Sequence, residues 1–171
     1  MQGAAAVALR QAFPGADVGV TGRDAGSSRR SERGSVRRVI AVPPSLSDGL
    51  ERVVGKLRHA ASTRLRAPLA GPYASRAQAG RALAQALATA TQGIEDGDQP
   101  ATPVWRVVPR LDDLAVGDQV RVLAHDLLAA LPASPELVWV RDVPDVPGVR
   151  VPAVELVRSI SALVADVDSL L

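Results

Sequence analysis

The chain has 171 residues, with 20 basic and 18 acidic side chains, and its 47% apolar and 22% charged fractions are typical of a soluble globular protein. Cysteine is absent, which excludes disulfides, thiolate metal sites and cysteine nucleophiles. No uncharged apolar run approaches the about 20 residues of a membrane-spanning helix, so we expect no membrane partner. The first ten residues make no convincing signal peptide, and we place the protein in the cytoplasm by default.

The composition carries a strong bias toward residues with GC-rich codons. Lys56 is the single lysine among the 20 basic residues, and asparagine is absent. This bias indicates a GC-rich, bacterial genome. Arginine content is therefore not by itself a sign of phosphate recognition, although arginine suits that role.

Charge is divided unevenly along the chain. Residues 1–92 carry 14 basic and 5 acidic side chains, a net charge of +9, whereas residues 93–171 carry 6 basic and 13 acidic ones, a net charge of −7. Such asymmetry indicates either an internal fit of basic against acidic helices or a basic face for a polyanion. We favour the internal fit.

The N-terminal part, residues 1–44, is predicted as a short helix and a basic arm that precede a helical domain at 45–171. Residues 2–13 are alanine-rich and read as a helix, and residues 17–20 as a brief strand. The Gly, Ser and Arg composition of residues 22–35 predicts a mobile segment. An alternative to a solvated arm is nucleic-acid binding through its arginines, which are Arg23, Arg29, Arg30, Arg33, Arg37 and Arg38.

Four later segments have apolar residues at the spacing of one helix face. They cover residues 46–66, 76–92, 113–131 and Pro152 to the C-terminus. Ser75 and Gln78 form a capping box for the second segment, and Gly93 supplies its stop. We expect the four stripes to meet in one interior that contains Leu57, Leu83, Leu123 and Leu163.

These patterns predict a mainly α protein, a four-helix antiparallel bundle with short β-like accessory segments. Residues 114–123 also resemble a turn and a strand, but the apolar stripe that continues to Leu131 favours a helix. Two connections each hold a tryptophan in a β-like run, at 104–108 and 137–141. These runs could pair with each other or with residues 36–42, which leaves an α/β or α+β fold as the alternative, or they could lie extended across the bundle.

No catalytic or cofactor motif is present, so we expect no enzyme activity, no cofactor and no metal site. The two histidines, His59 and His125, lack the Glu-x-x-His spacing of a dimetal bundle, and no phosphate-binding loop occurs. The candidate ligand-binding residues are Tyr73, Trp105, Asp118, His125 and Trp139.

The sequence predicts a small helical protein that acts through a protein partner or by self-association. Nucleic-acid binding through residues 23–38 is the first alternative, and a small-ligand or metal-binding bundle is the second.

Overall fold

The computed structural model describes residues 40–141 and 148–171. The predicted N-terminal helix, the strand at 17–20 and the basic arm lie outside these residues. The described chain forms five α-helices and two strands, which are α1 (Pro44–His59), α2 (Ser62–Arg66), α3 (Arg76–Glu95), α4 (Val116–Ala130), β1 (Leu137–Val140), β2 (Val149–Pro152) and α5 (Ala153–Leu170). Single turns of 3₁₀ helix, Asp113–Ala115 and Leu131–Ala133, flank α4. The prediction of a mainly α protein with short β segments is confirmed.

The four long helices pack in a closed ring around one apolar core. Helix α3 contacts α4 and α5, and α1 contacts the same two helices from the other side. Leu57, Leu83 and Leu163 are buried in this core, as the spacing predicted, whereas Leu123 is half-buried and packs at its edge. Helix propensity alone is weak at this length, so the burial of the four stripes is the main stabilising term.

The helix directions follow from contacts near the helix ends. Gly49 lies against Val164 and Lys56 pairs with Asp168, so contacts advance together along α1 and α5, and these two helices are parallel. Contacts also advance together along α3 and α4, so the helix directions are mixed and the bundle is not antiparallel throughout as the sequence had predicted. The connection of residues 96–115 is long enough for α4 to begin beside the start of α3. Near the start of the pair Gly80 meets Val116, and just beyond its end Gly97 meets Pro135.

The segment predicted as one helix over residues 46–66 is two helices, because the chain bends after His59. Ala60 is extended, with φ −75° and ψ 131°, and α2 then turns so that Leu65 is buried. The first turn of α4 occupies the space beside the bend, where Gly117 lies directly against the backbone of Arg58. Helices α1 and α4 therefore run in opposite directions.

The sequence predicted that this helix would stop at Gly93, but α3 continues to Glu95. Gly93 has a packing role instead. A Cβ at this position would overlap the carbonyl oxygen of Trp139 in β1, so only glycine allows the strand to lie this close to the helix. The predicted start of α3 is confirmed, since the Ser75 hydroxyl accepts a hydrogen bond from the Gln78 N–H at 3.3 Å.

Only one of the two tryptophan segments becomes a strand. β1 pairs antiparallel with β2, in a register that places Leu137 opposite Pro152 and Val140 opposite Val149. The partner strand is therefore residues 149–152, and not 104–108 or the described part of 36–42, as the alternative fold had predicted. Residues 104–108 lie extended across the bundle without a strand partner among the described residues.

The uneven charge of the chain is matched within the fold. Five ion pairs join a basic residue from the first 92 positions to an acidic residue from the rest. They are Arg52–Asp168, Lys56–Asp168, Arg58–Asp118, Arg66–Asp113 and Arg81–Asp113. The described residues thus favour an internal electrostatic fit over a basic face.

Two of these carboxylates each bind two cations. The hydrogen bonds from Arg81 and Arg66 hold the pKa of Asp113 below its usual value of 3.8. Hydrogen bonds from Lys56 and Arg52 lower the pKa of Asp168 in the same way. Both groups therefore stabilise the fold above about pH 4, and this contribution is lost as the pH falls through their lowered pKa values.

We predict that Gly93→Ala lowers the free energy of unfolding by about 2 kcal/mol, since the added methyl group overlaps the Trp139 carbonyl. The matched substitution is Gly55→Ala in α1, where the new methyl group meets nothing within 4 Å. That change should stabilise by about 0.5–1 kcal/mol through helix propensity. Urea denaturation of both variants measures the difference, and a Gly93→Ala protein as stable as the parent would contradict the packing at β1.

We predict that Asp113→Asn lowers the free energy of unfolding at pH 7 by about 1–2 kcal/mol, the range for partly exposed hydrogen bonds to charged groups. The parent should lose stability more steeply than the variant as the pH falls below about 4, so their curves converge in acid. Denaturation at a series of pH values tests this, with Asp98→Asn, a change at an exposed loop residue, as the control. Parallel curves at all pH values would show that Asp113 contributes no pH-linked stability.

Candidate binding groove

An open groove of about 930 Å³ lies between the C-terminal half of α3, the length of α4 and the connection that joins them. Its walls are mostly aliphatic. The lining residues from the connection are Asp98, Arg106, Val107, Val108, Pro109 and Leu111. We call this space the α3–α4 groove, and its volume lies in the range of natural binding sites.

The wall formed by the connection exists because α3 and α4 are parallel. The chain leaves the end of α3 and must travel back along the helix pair before α4 can begin. Over residues 104–108 it does so in an extended conformation, with its backbone held by two glutamines of α3. We call residues 104–108 the return segment.

Gln92 binds the first half of the return segment. Its side-chain N–H donates to the carbonyl of Val104 at 2.9 Å, and its carbonyl oxygen accepts from the N–H of Arg106 at 3.0 Å. Gln92 is itself buried, so these bonds also satisfy a polar group that would otherwise be costly to bury.

Gln85, two helical turns earlier, repeats the arrangement on the second half. It donates to the carbonyl of Arg106 at 3.1 Å and accepts from the N–H of Val108 at 2.9 Å. A primary amide carries one acceptor and one donor side by side, so each glutamine offers the return segment what a neighbouring strand would offer. Helix α3 thus serves as the partner of one edge of this segment.

Large apolar side chains remain exposed at the groove. Val107 is 81% exposed and Val122 of α4 is 59% exposed, and both line the groove. Carboxylates lie at its rim, in Glu95, Asp98 and Asp126. The groove therefore combines an apolar interior with an acidic border.

Of the five residues proposed from sequence as ligand-binding, His125 alone lines the groove. Its side chain is 84% exposed, with Nδ1 3.7 Å from the Asp126 carboxylate. Asp118 lies outside the groove lining and pairs with Arg58 at 2.7 Å.

The three aromatic candidates lie outside the groove lining. Tyr73 is buried in the core away from the groove, and burial raises the pKa of its hydroxyl. Trp139 is buried, donates its indole N–H to the carbonyl of Gln99 at 3.2 Å, and has the Arg150 guanidinium 5.5 Å from its ring centre. Trp105 is half-buried and meets Gly148, the residue just before the start of β2.

The arginines of the proposed nucleic-acid site, residues 23–38, lie outside the described residues. Within the described ranges no group of three or more metal-ligating side chains comes together. No described helix is long and apolar enough to cross a membrane.

The residues that build the groove carry no functional motif in the sequence. The apolar spacing places Gln85 and Gln92 on the second predicted helix without indicating a role, and it places Val107 in a β-like run and Val122 in a helix. The one available signal was the seven-residue spacing of the two glutamines, which puts both on one helix face ahead of an extended run.

Comparisons with protein-family models, with curated proteins and with solved structures find no match to this chain.

We predict that Gln92→Ala releases the first half of the return segment. Hydrogen exchange of the Arg106 amide should accelerate by about tenfold or more, because its acceptor is lost, and stability should fall by about 1–3 kcal/mol. Mass spectrometry of the exchanging protein measures the first effect, with Gln99→Ala, a change at an exposed residue beyond α3, as the control. Unchanged exchange at Arg106 would mean that Gln92 does not hold this segment.

Proposed function

We propose that this protein acts by binding a protein partner, and that the α3–α4 groove is the binding surface. The observation that carries the proposal is the exposure of two valines on facing walls of one groove. Val107 and Val122 come from separate elements, yet both remain open to solvent beside a concave apolar surface. Contiguous exposed apolar surface of this kind marks interaction sites in soluble proteins.

The build of the groove supports a macromolecular partner. It is open along its length, and its wall is a backbone segment held in place by Gln85 and Gln92. Such a preformed wall reduces the conformational entropy that binding would otherwise cost. The exposed apolar residues offer the kind of anchor pocket around which interfaces concentrate their affinity.

The two alternatives draw less support from the described residues. Nucleic-acid binding rests on residues 23–38 alone, because many basic residues of the helical domain already pair with carboxylates. A small apolar ligand would fit the groove by volume. However, the groove is open along its length, whereas small-molecule sites bury most of the surface of their ligand.

We predict that displayed random peptides selected against the full chain bind through the groove. The double variant Val107→Lys/Val122→Lys should weaken the selected peptides by at least about tenfold, which corresponds to about 1.4 kcal/mol. The matched control is Val149→Lys/Val154→Lys, which adds the same charge at two valines that are 43% and 57% exposed and lie outside both the groove and the return segment. Titration by fluorescence anisotropy compares the two proteins.

Equal weakening by the two double variants, or a selection that enriches no peptide, would contradict the proposal. Because all four valines are exposed, folding should survive every substitution, and circular dichroism checks this directly.

A further inference from the structure

The return segment has one satisfied edge and one open edge. In an extended chain the backbone groups of alternate residues point to opposite sides. The groups of Val104, Arg106 and Val108 that face α3 are bound by Gln85 and Gln92. Within residues 40–141 and 148–171 no hydrogen bond reaches the backbone N–H or C=O of Trp105 or Val107.

The part of this open edge at Val107 borders the groove. Pro109 continues the alternation of residues 105 and 107, and its carbonyl accepts a hydrogen bond at 2.9 Å from Gln119 of α4. Val107 and Pro109 both line the groove. The edge therefore faces α4 across the space that the partner is proposed to occupy.

We propose that the partner enters the α3–α4 groove as an extended strand and pairs with the open edge at Trp105 and Val107. This inference rests on the proposed function and specifies how the partner binds. An unpaired edge is a template for an added strand, with main-chain hydrogen bonds giving affinity and pockets for alternate side chains giving specificity. Here Gln85 and Gln92 hold the return segment extended from the α3 side, and the pockets lie between its open edge and α4.

The rim charges select the partner's side chains. Glu95, Asp98 and Asp126 line the groove against a single arginine, Arg106, so the lining carries a net charge of −2 with His125 neutral. Arg106 lies 4.0 Å from Glu95, which leaves Asp98 and Asp126 to face an incoming charge. The occupant is therefore an extended segment of a protein partner with apolar alternate residues and at least one lysine or arginine.

A second copy of this chain fits the edge less well. Antiparallel pairing of two return segments through Trp105 and Val107 would place Arg106 opposite Arg106 of the other copy, and like charges directly opposite each other are destabilising. A partner of different sequence avoids this repulsion.

The test uses the full chain and short synthetic peptides of alternating valine and threonine with a central lysine. Two further peptides carry N-methyl groups on two alternate amides, either those that face the edge or those one position further along. Strand addition predicts that one methylated peptide loses binding while the other retains it, since methylation removes donors on one side only. A central glutamate in place of lysine should weaken binding roughly two- to fivefold.

Hydrogen exchange supplies an independent readout. The amides of Trp105 and Val107 should slow by about tenfold on saturation with the lysine peptide, because their N–H groups become donors to the added strand. The Arg106 amide, already bound by Gln92, should change little.

The inference is overturned if both methylated peptides bind alike, or if no unmethylated peptide binds at concentrations up to about 1 mM. It is also overturned if the Trp105 and Val107 amides are already protected in a concentration-dependent way without peptide, which would assign the edge to a second copy. The proposed function survives any of these results as long as displayed peptides still distinguish Val107→Lys/Val122→Lys from its control.

Discussion

Two parallel neighbours in a ring of four helices impose a constraint on everything that connects them. Since α3 and α4 run the same way, the chain between them must travel the length of the pair, and its backbone needs hydrogen-bond partners throughout. Gln85 and Gln92 supply those partners from one side of the return segment. A helix that binds a strand-like segment through side-chain amides can satisfy only the edge that faces it. The backbone groups of Trp105 and Val107 on the opposite edge therefore have no hydrogen-bond partner among the described residues.

The same arrangement explains why a groove lies beside α3 and α4. The return segment lies beside α3 and forms one wall of the groove. Leu123 of α4, which the apolar spacing assigns to the interior, is half-buried and lines the groove. Aliphatic side chains of the return segment and of α4 therefore line an open groove instead of packing in the core. The proposed binding of an extended, basic segment uses both products of the parallel geometry, the open edge and the exposed valines.

Electrostatics divides the molecule into two ends of different character. Where α1 ends and α3 and α4 begin, arginines from the first half of the chain are matched by carboxylates such as Asp113 and Asp118. Where α3 ends, Glu95 and Asp98 border the groove with Arg106 as the one cation of its lining. Five of the seven basic residues described in the first half thus pair with acidic residues of the second half, and an acidic border lies beside the apolar groups of the groove.

The amino-acid sequence by itself determined the local elements of this protein. Apolar spacing located the long helices, Ser75 with Gln78 marked the start of α3, and continuity of the stripe through Leu131 chose helix over strand for α4, because these features depend on neighbours within about seven residues. Helix direction, the role of Gly93 against Trp139, the pairing of β1 with residues 149–152 and the alignment of the return segment were decided only by the tertiary structure. Each of these features depends on which segments, distant in sequence, pack together. A stripe of apolar residues predicts that a helix face is buried, but it does not specify the element against which that face packs. The groove also depends on the tertiary structure, since Val107 and Val122 line one groove only because the chain returns along α3.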